Sequence, residues 1–336
     1  MKLLLIAPVV PDVSGIDSFE KVWSHFLSWG LRRRGIELRY AEAFDTSALP
    51  KAEIIRYYRQ FDLSDIDHIV SLGTVGLRYF ERVPSQVGEL LMQRCRGVVV
   101  QIHDYARLKA SPCHCTFTIT KNNVNDKTPK QNRLIGWGAD PNLLEPDQDP
   151  SELRILVDHP GYGSPKWFFD MSVAVQRDCL DFADSGLWGS RYRSIRLRRH
   201  VDGGFEDFTA PSVAPYRHIG CPWPVLAAEY RKTHVFMMTH REMIGISAIE
   251  AAMAGALVVV PRAGPTGPRR LFVPQDRLDT IRHIVYGHSV PWQIVLDNIH
   301  VARSRRQAIE HNWDAVAGNV IRALKATAAA EGRPFC

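Results

Sequence analysis

Arg241-Glu242-Met243-Ile244-Gly245-Ile246-Ser247-Ala248-Ile249-Glu250-Ala251-Ala252-Met253-Ala254-Gly255 runs directly into Ala256-Leu257-Val258-Val259-Val260. The stretch reads as a loop, a helix and a buried strand. Gly245 lets backbone approach a ligand closely, and the residues after it are good helix formers. The first N–H groups of such a helix have no partner within it and point back toward an anion, so a phosphate suits this loop. Glu242 and Glu250 stand at either end of the helix start. Two acids eight residues apart are commonplace on solvated helix faces. Their setting, between a glycine loop and an apolar strand, gives them weight.

At 336 residues the chain is too long for one comfortable core and suits two domains. Its 45% hydrophobic and 23% charged residues exclude a disordered or fibrous class. The longest apolar run, Ala251 to Val260, falls short of the roughly 18 residues that cross a bilayer, so no transmembrane segment is expected. Met1-Lys2-Leu3-Leu4-Leu5-Ile6-Ala7-Pro8-Val9-Val10 mimics a short signal peptide, but Pro8 and Pro11 interrupt it, and a buried first strand explains it better. Cytoplasmic residence is the expectation. Cysteines 95, 113, 115, 179, 221 and 336 are scattered, which fits reduced thiols. The cluster His103, Cys113, His114, Cys115 does not have the spacing of a structural zinc site, and no metal is expected. A formal charge of +6 permits an anionic partner. Much of the excess lies in Arg191, Arg193, Arg196, Arg198 and Arg199 and in Arg262, Arg269 and Arg270, which read either as solvated faces or as a polyanion groove.

The first half alternates strand and helix patterns: a strand over residues 2–9, a helix from Asp17 to Arg33, and strands at Ile36 to Ala41, Asp67 to Leu72 and Gly97 to Ile102. Such alternation predicts an α/β fold with a parallel, doubly wound sheet. The loop Pro11 to Ser18 then lies at the carboxyl end of the sheet, where these folds bind ligands, and Gly15 is its candidate residue. Breakers from Gly136 to Pro146 form a linker. A second Rossmann-like unit follows: a strand at Leu153 to Val157, a helix from Lys166 to Ala183, a strand at Ser194 to Arg199, a helix at Val225 to Arg231 and a strand at Val235 to Met238. Helices at Trp292 to Ala308 and Trp313 to Ala329 close the chain. The expected domains are 1–148, 149–310 and a returning helix, 311–336.

Glu242 and Glu250 with Gly245, Gly255 and the strand after them resemble the Glu-x7-Glu motif of retaining glycosyltransferases of the GT-B fold, the group 1 or family 4-like enzymes. Met243 stands where that family usually has Gly, and Leu257 where it often has Pro. Gly138-Ala139-Asp140-Pro141-Asn142-Leu143-Leu144-Glu145-Pro146 resembles the segment preceding the family's second domain, with Leu144 in place of Phe. The resemblance implies two Rossmann-like domains facing a cleft, with the C-terminal helix crossing back to the first. It implies that Glu250 accepts hydrogen bonds from the ribose hydroxyls of a nucleotide sugar and that Glu242 lies near the hydroxyls of the transferred sugar. The N–H groups of Ile244, Gly245 and Ile246 would meet the donor phosphate, and Gly15 would let the phosphates lie against backbone. His103-Asp104 resembles the His-Asp that faces the donor sugar from the first domain.

The family commonly places an Arg and a Lys after the first strand of its second domain, where they neutralise the leaving diphosphate. Here the segment reads Asp158-His159-Pro160-Gly161-Tyr162-Gly163-Ser164-Pro165-Lys166. Lys166 matches the Lys; Asp158 or His159 stands near the place of the Arg, for which Arg241 or Arg262 would have to compensate. The implied function is hexosyl or pentosyl transfer without metal or cofactor, the nucleotide sugar being a substrate. The acceptor is an envelope saccharide or lipid-linked glycan, a small metabolite, or a hydroxymethylated base in DNA. A sugar-nucleotide-binding protein with weakened catalysis is the other reading, and an epimerase on the same fold sits poorly with the acid pair.

Overall fold

Leu3, Leu4, Leu5 and Ile6 are all at most 2% exposed, which is what a strand covered on both faces requires and why this run is apolar without alternation. The structure, a computed structural model, describes residues 1–7, 10, 12–16, 19–41, 50–72, 85–103, 113–118, 132–158, 166–212, 221–239, 246–261, 283–286 and 289–335. The chain divides into two compact units, Met1–Gly138 with Trp313–Cys336, and Ala139–Asn312.

The first unit holds β1 (Lys2–Ile6), α1 (Phe19–Arg33), β2 (Glu37–Ala41), α2 (Lys51–Gln60), β3 (His68–Leu72), α3 (Ser85–Arg94), β4 (Val99–His103), β5 (Cys115–Thr118) and β6 (Asn132–Leu134). Its sheet has the order β2-β1-β3-β4-β5-β6, parallel throughout. The terminal helix Trp313–Ala330, here α9, packs on α1. Trp23 of α1, Trp137 and Trp313 meet edge to face with ring centroids 5.0 to 5.1 Å apart, and each is 1% exposed. The two helices approach closely because residue 30 is a glycine: a Cβ there would stand 2.6 Å from the carbonyl oxygen of Trp313.

The second unit holds β7 (Glu152–Val157), α4 (Lys166–Ser185), β8 (Ser194–Val201), β9 (Gly204–Asp207), α5 (Trp223–Lys232), β10 (Val235–Met237), α6 (Ile246–Met253), β11 (Leu257–Pro261), β12 (His283–Tyr286), α7 (Trp292–Asn298) and α8 (Val301–Ala308). The sheet order is β12-β11-β10-β7-β8-β9, parallel except for the β8–β9 hairpin. Leu257 to Val260 are wholly buried. The Leu257 N–H bonds the His234 carbonyl at 2.9 Å, a ladder bond that proline, lacking a donor, could not make.

Two expectations change. The boundary falls at Ala139 rather than 149, because residues 139–148 are tied into the second unit. Arg305 donates to the carbonyls of Pro141 at 2.6 Å and Leu144 at 2.8 Å, and Asp147 N–H reaches Arg231 O at 2.8 Å. The helix expected over Trp292 to Ala308 is two helices, broken where Ile299 (ψ 106) and His300 (φ −144, ψ 91) turn extended. Asn298 there bonds back through its side chain to the Ile294 carbonyl at 2.7 Å, a local bond that competes with continued helix.

Candidate functional site

In the second sheet β7 lies between β8 and β10, so the order reverses at the β7–β10 pair, and a ligand site belongs at the carboxyl ends of those strands. Asp158 directly follows β7. Its N–H bonds Met237 O at 2.9 Å, and its carbonyl accepts the Thr239 hydroxyl just beyond β10. The Tyr286 hydroxyl, at the end of β12, donates to Met238 O at 3.3 Å. Burial pushes the Asp158 carboxyl up to about 7, because the anion would lose its water.

The next helix after β10 is α6. Ile246 opens it and Glu250 follows four residues on. Glu250 is 4% exposed, and one carboxylate oxygen accepts the indole N–H of Trp223 at 3.1 Å. Trp223, also 4% exposed, is the first residue of α5. Prolines 222 and 224 flank it and fix the backbone where the helix starts. Helix α6 ends at Met253, and Gly255, two residues on, has φ +96. Trp223 was not found from the sequence, since it lies outside any motif around Glu250; the one available signal was the Pro-Trp-Pro triplet.

Glu242, Ile244 and Gly245 lie outside the described residues, as do Arg241, Arg262, Asp104 and His159. Lys166 opens α4, the helix that follows β7. Asp158, the start of α4 and the start of α6 thus all belong to connections leaving the carboxyl ends of β7 and β10. In the first unit, His103 is the last residue of β4, paired with Thr118 of β5. Gly15 closes a 3-10 turn, Val13–Gly15, capped by Asp12, whose carboxylate accepts the Ser14 N–H at 2.8 Å. The turn follows β1, where the first sheet reverses its order. Among the described residues, a Cβ on Gly15 would meet Val10 Cγ1, at 3.8 Å, an ordinary van der Waals distance.

The arginines of β8 are not a free basic stripe. Arg198 donates to Asp207 at 2.8 Å and to Glu229 at 3.1 Å. Arg199 pairs with Glu206 at 2.6 Å, and Arg191 pairs with Asp297. These pairs with β9 and Glu229 of α5 favour the solvated-face reading for Arg198 and Arg199; Arg262, Arg269 and Arg270 lie outside the described residues. His114 uses Nδ1 to accept the Val99 N–H at 2.9 Å, and burial pushes the Cys113 thiol up to about 11. Among the described residues no three His, Cys, Asp or Glu side chains are placed to share a metal ion, and no helix is long and apolar enough to cross a membrane.

No family model matches the chain. A curated homoserine kinase of Ralstonia nicotianae is 31% identical over 109 residues, 32% of this chain and 27% of that protein. The match to the Ralstonia pickettii homoserine kinase covers 26% of that protein, so the chain spans about a quarter of the length of these curated relatives. The catalytic domain of starch synthase IV from Arabidopsis thaliana, bound to ADP and acarbose, aligns over 98% of this chain and 99% of its own, with TM-score 0.55 and 9% identity. A trehalose-6-phosphate synthase, solved in work on glycosyl transfer with retention, aligns over 97% and 99%, with TM-score 0.52 and 8% identity. Both are glycosyltransferases of the GT-B fold, and this chain has that fold.

Proposed function

We propose that the chain is a retaining glycosyltransferase that moves a sugar from a nucleotide donor to an acceptor hydroxyl. The observation that carries this reading is Glu250: a buried carboxylate, held by an indole N–H, one turn into the helix that leaves the switch point of a GT-B second unit. A nucleotide seated there would offer its ribose hydroxyls to Glu250 and its phosphates to the N–H groups of Ile244, Gly245 and Ile246. Glu242 would serve the transferred sugar.

Breaking a glycosyl bond to phosphate builds negative charge on the leaving diphosphate, so the proposed site needs positive potential there. Lys166, at the first position of α4, and the amino end of α6 are the proposed sources. Asp158 stands near the place where the resembled enzymes have Arg. Burial pushes its carboxyl up to about 7, which lessens the repulsion it would exert on an anion. Neither a metal nor a cofactor enters the proposed reaction. The acceptor we favour is an envelope saccharide or lipid-linked glycan. A hydroxymethylated base in DNA is the second reading, which the formal charge of +6 permits. The homoserine kinase match covers too little of either protein to set the reaction.

Calorimetric binding of UDP-, GDP-, ADP- and TDP-linked sugars to wild type and Glu250→Ala tests the proposal. One donor should bind wild type, lose roughly tenfold or more in affinity in the variant, and be hydrolysed slowly by wild type. Equal binding to both proteins would remove Glu250 from the site, and no binding by wild type would leave the fold without this function.

A further inference from the structure

We infer that Trp223 is a positioning residue for the proposed donor site, setting the orientation in which the Glu250 carboxylate meets a ribose. This rests on the function proposed above. The indole N–H is a donor only, so its bond to Glu250 has one polarity and one direction. At 3.1 Å it is a contact made between two residues each 4% exposed, where water competes little. A carboxylate has about four lone-pair sites. Trp223 engages Oε1 and so restricts rotation of the group. A carboxylate that must accept from two hydroxyls on one ring depends on that restriction, since a rotation that improves one bond spoils the other.

The surroundings make Trp223 rigid enough for the task. Helix α5 is fastened to the sheet at its far end. Tyr230 meets Phe236 of β10 edge to face at 5.7 Å, and Glu229 is bonded by Arg198 at 3.1 Å and by Arg154 of β7 at 3.4 Å. Thr233 Oγ1 closes the helix on Glu229 O at 2.8 Å. Prolines 222 and 224 restrict the opposite end, where Trp223 sits. Anchored at one end and stiffened at the other, α5 presents a single N–H to α6, two helices packed on each other. A residue that only filled the core would need the ring and not the nitrogen.

The test compares UDP, GDP and ADP with their 2′-deoxy forms, by calorimetry on wild type and Trp223→Phe, with the thermal midpoint as a control for folding. Wild type should prefer the ribo form of the nucleotide it binds by roughly tenfold, the scale of a hydrogen bond to a charged group. Trp223→Phe keeps an aromatic side chain, smaller than the indole and without its N–H, and should reduce that preference to about twofold or less. If it weakens both forms equally and leaves their ratio intact, Trp223 is merely structural and the inference is wrong. If wild type binds none of the nucleotides, the function proposed above fails and takes this inference with it. Should Trp223→Phe not fold, the indole N–H resonances of wild type decide: the ribo nucleotide must shift that of Trp223 more than the 2′-deoxy form does, and equal shifts overturn the proposal.

Discussion

Asp158 binds its proton more tightly in the folded chain than in the unfolded one, with a pKa of about 7 against an ordinary 3.8. Its contribution to stability is therefore fully present below about pH 3.8 and is lost as the pH rises through 7. Asp158→Asn keeps the shape without the charge. It should raise stability at pH 8 by on the order of 2 to 4 kcal/mol and leave pH 4 nearly unchanged, read as urea midpoints at the two values. A destabilised variant at pH 8 would mean that the anion is held there by a cation. His234 has the opposite sense. Burial, then the neighbouring Arg154, lower its pKa to about 4, and its Nδ1 accepts the Arg154 N–H at 3.2 Å. The neutral ring is the folded form, so this stability is present above about pH 6.5 and is lost as the pH falls toward 4. His68 and His114, also lowered by burial, each accept a backbone N–H of the neighbouring strand segment and add to the same limb. The urea midpoint should fall between pH 6.5 and 4, and His234→Gln, whose amide oxygen keeps an acceptor, should flatten that fall. An unchanged acid limb in the variant would assign the loss to other groups.

Among the elements, the contact of α1 with α9 turns on a single atom. Alanine at position 30 would gain about 1 kcal/mol of helix propensity. Its Cβ, however, would sit 2.6 Å from Trp313 O and 3.0 Å from the Ala317 Cβ, and backbone at that range has to move. Gly30→Ala should lower stability by about 1 to 3 kcal/mol, seen as a lower thermal midpoint; a rise would show that the helices part without loss. The same scale shows which elements the sequence discloses. β1 after Lys2 and β11 are apolar on both faces, and β3, β4 and β7 carry short apolar runs; all read directly as buried strands. β9, Gly-Phe-Glu-Asp, has no strand pattern; it forms because Glu206 and Asp207 face Arg199 and Arg198 across the hairpin. Helix α2 buries only Ile54 and Tyr58, too little periodicity to stand out. The break between α7 and α8 was hidden because Asn298 and His300 are ordinary helix residues in composition, and only the side-chain bond to Ile294 decides against continuing.

For the whole molecule, the alternation of strands and helices with one breaker-rich linker was enough to expect two Rossmann-like units. The site was legible where spacing along one helix carried it, as for Glu250, and illegible where the partner came from another helix, as for Trp223. The linker composition pointed near the boundary but missed it by ten residues, since the bonds that tie residues 139–148 to Arg305 and Arg231 join distant parts of the chain. A chain ending at Asn312 lacks Trp313 and the rest of α9, one side of the tryptophan cluster. Limited proteolysis of it should consume the first unit and leave a fragment close to residues 139–312; digestion of both would show that the second unit does not hold itself together.

Ala139 and Asn312 are bridge partners, and the Ala139 N–H bonds His311 O at 2.9 Å. The second unit therefore begins and ends at one point, as an excursion of about 170 residues inserted into the first. During synthesis this sets an order. At roughly 5 to 20 residues per second, the ribosome spends about 10 to 35 seconds making the inserted unit while Trp23 and Trp137 wait for Trp313. The contiguous unit, begun later, is complete first, and the nascent protein's exposure to chaperones and aggregation is concentrated on an apolar face that the last two dozen residues cover.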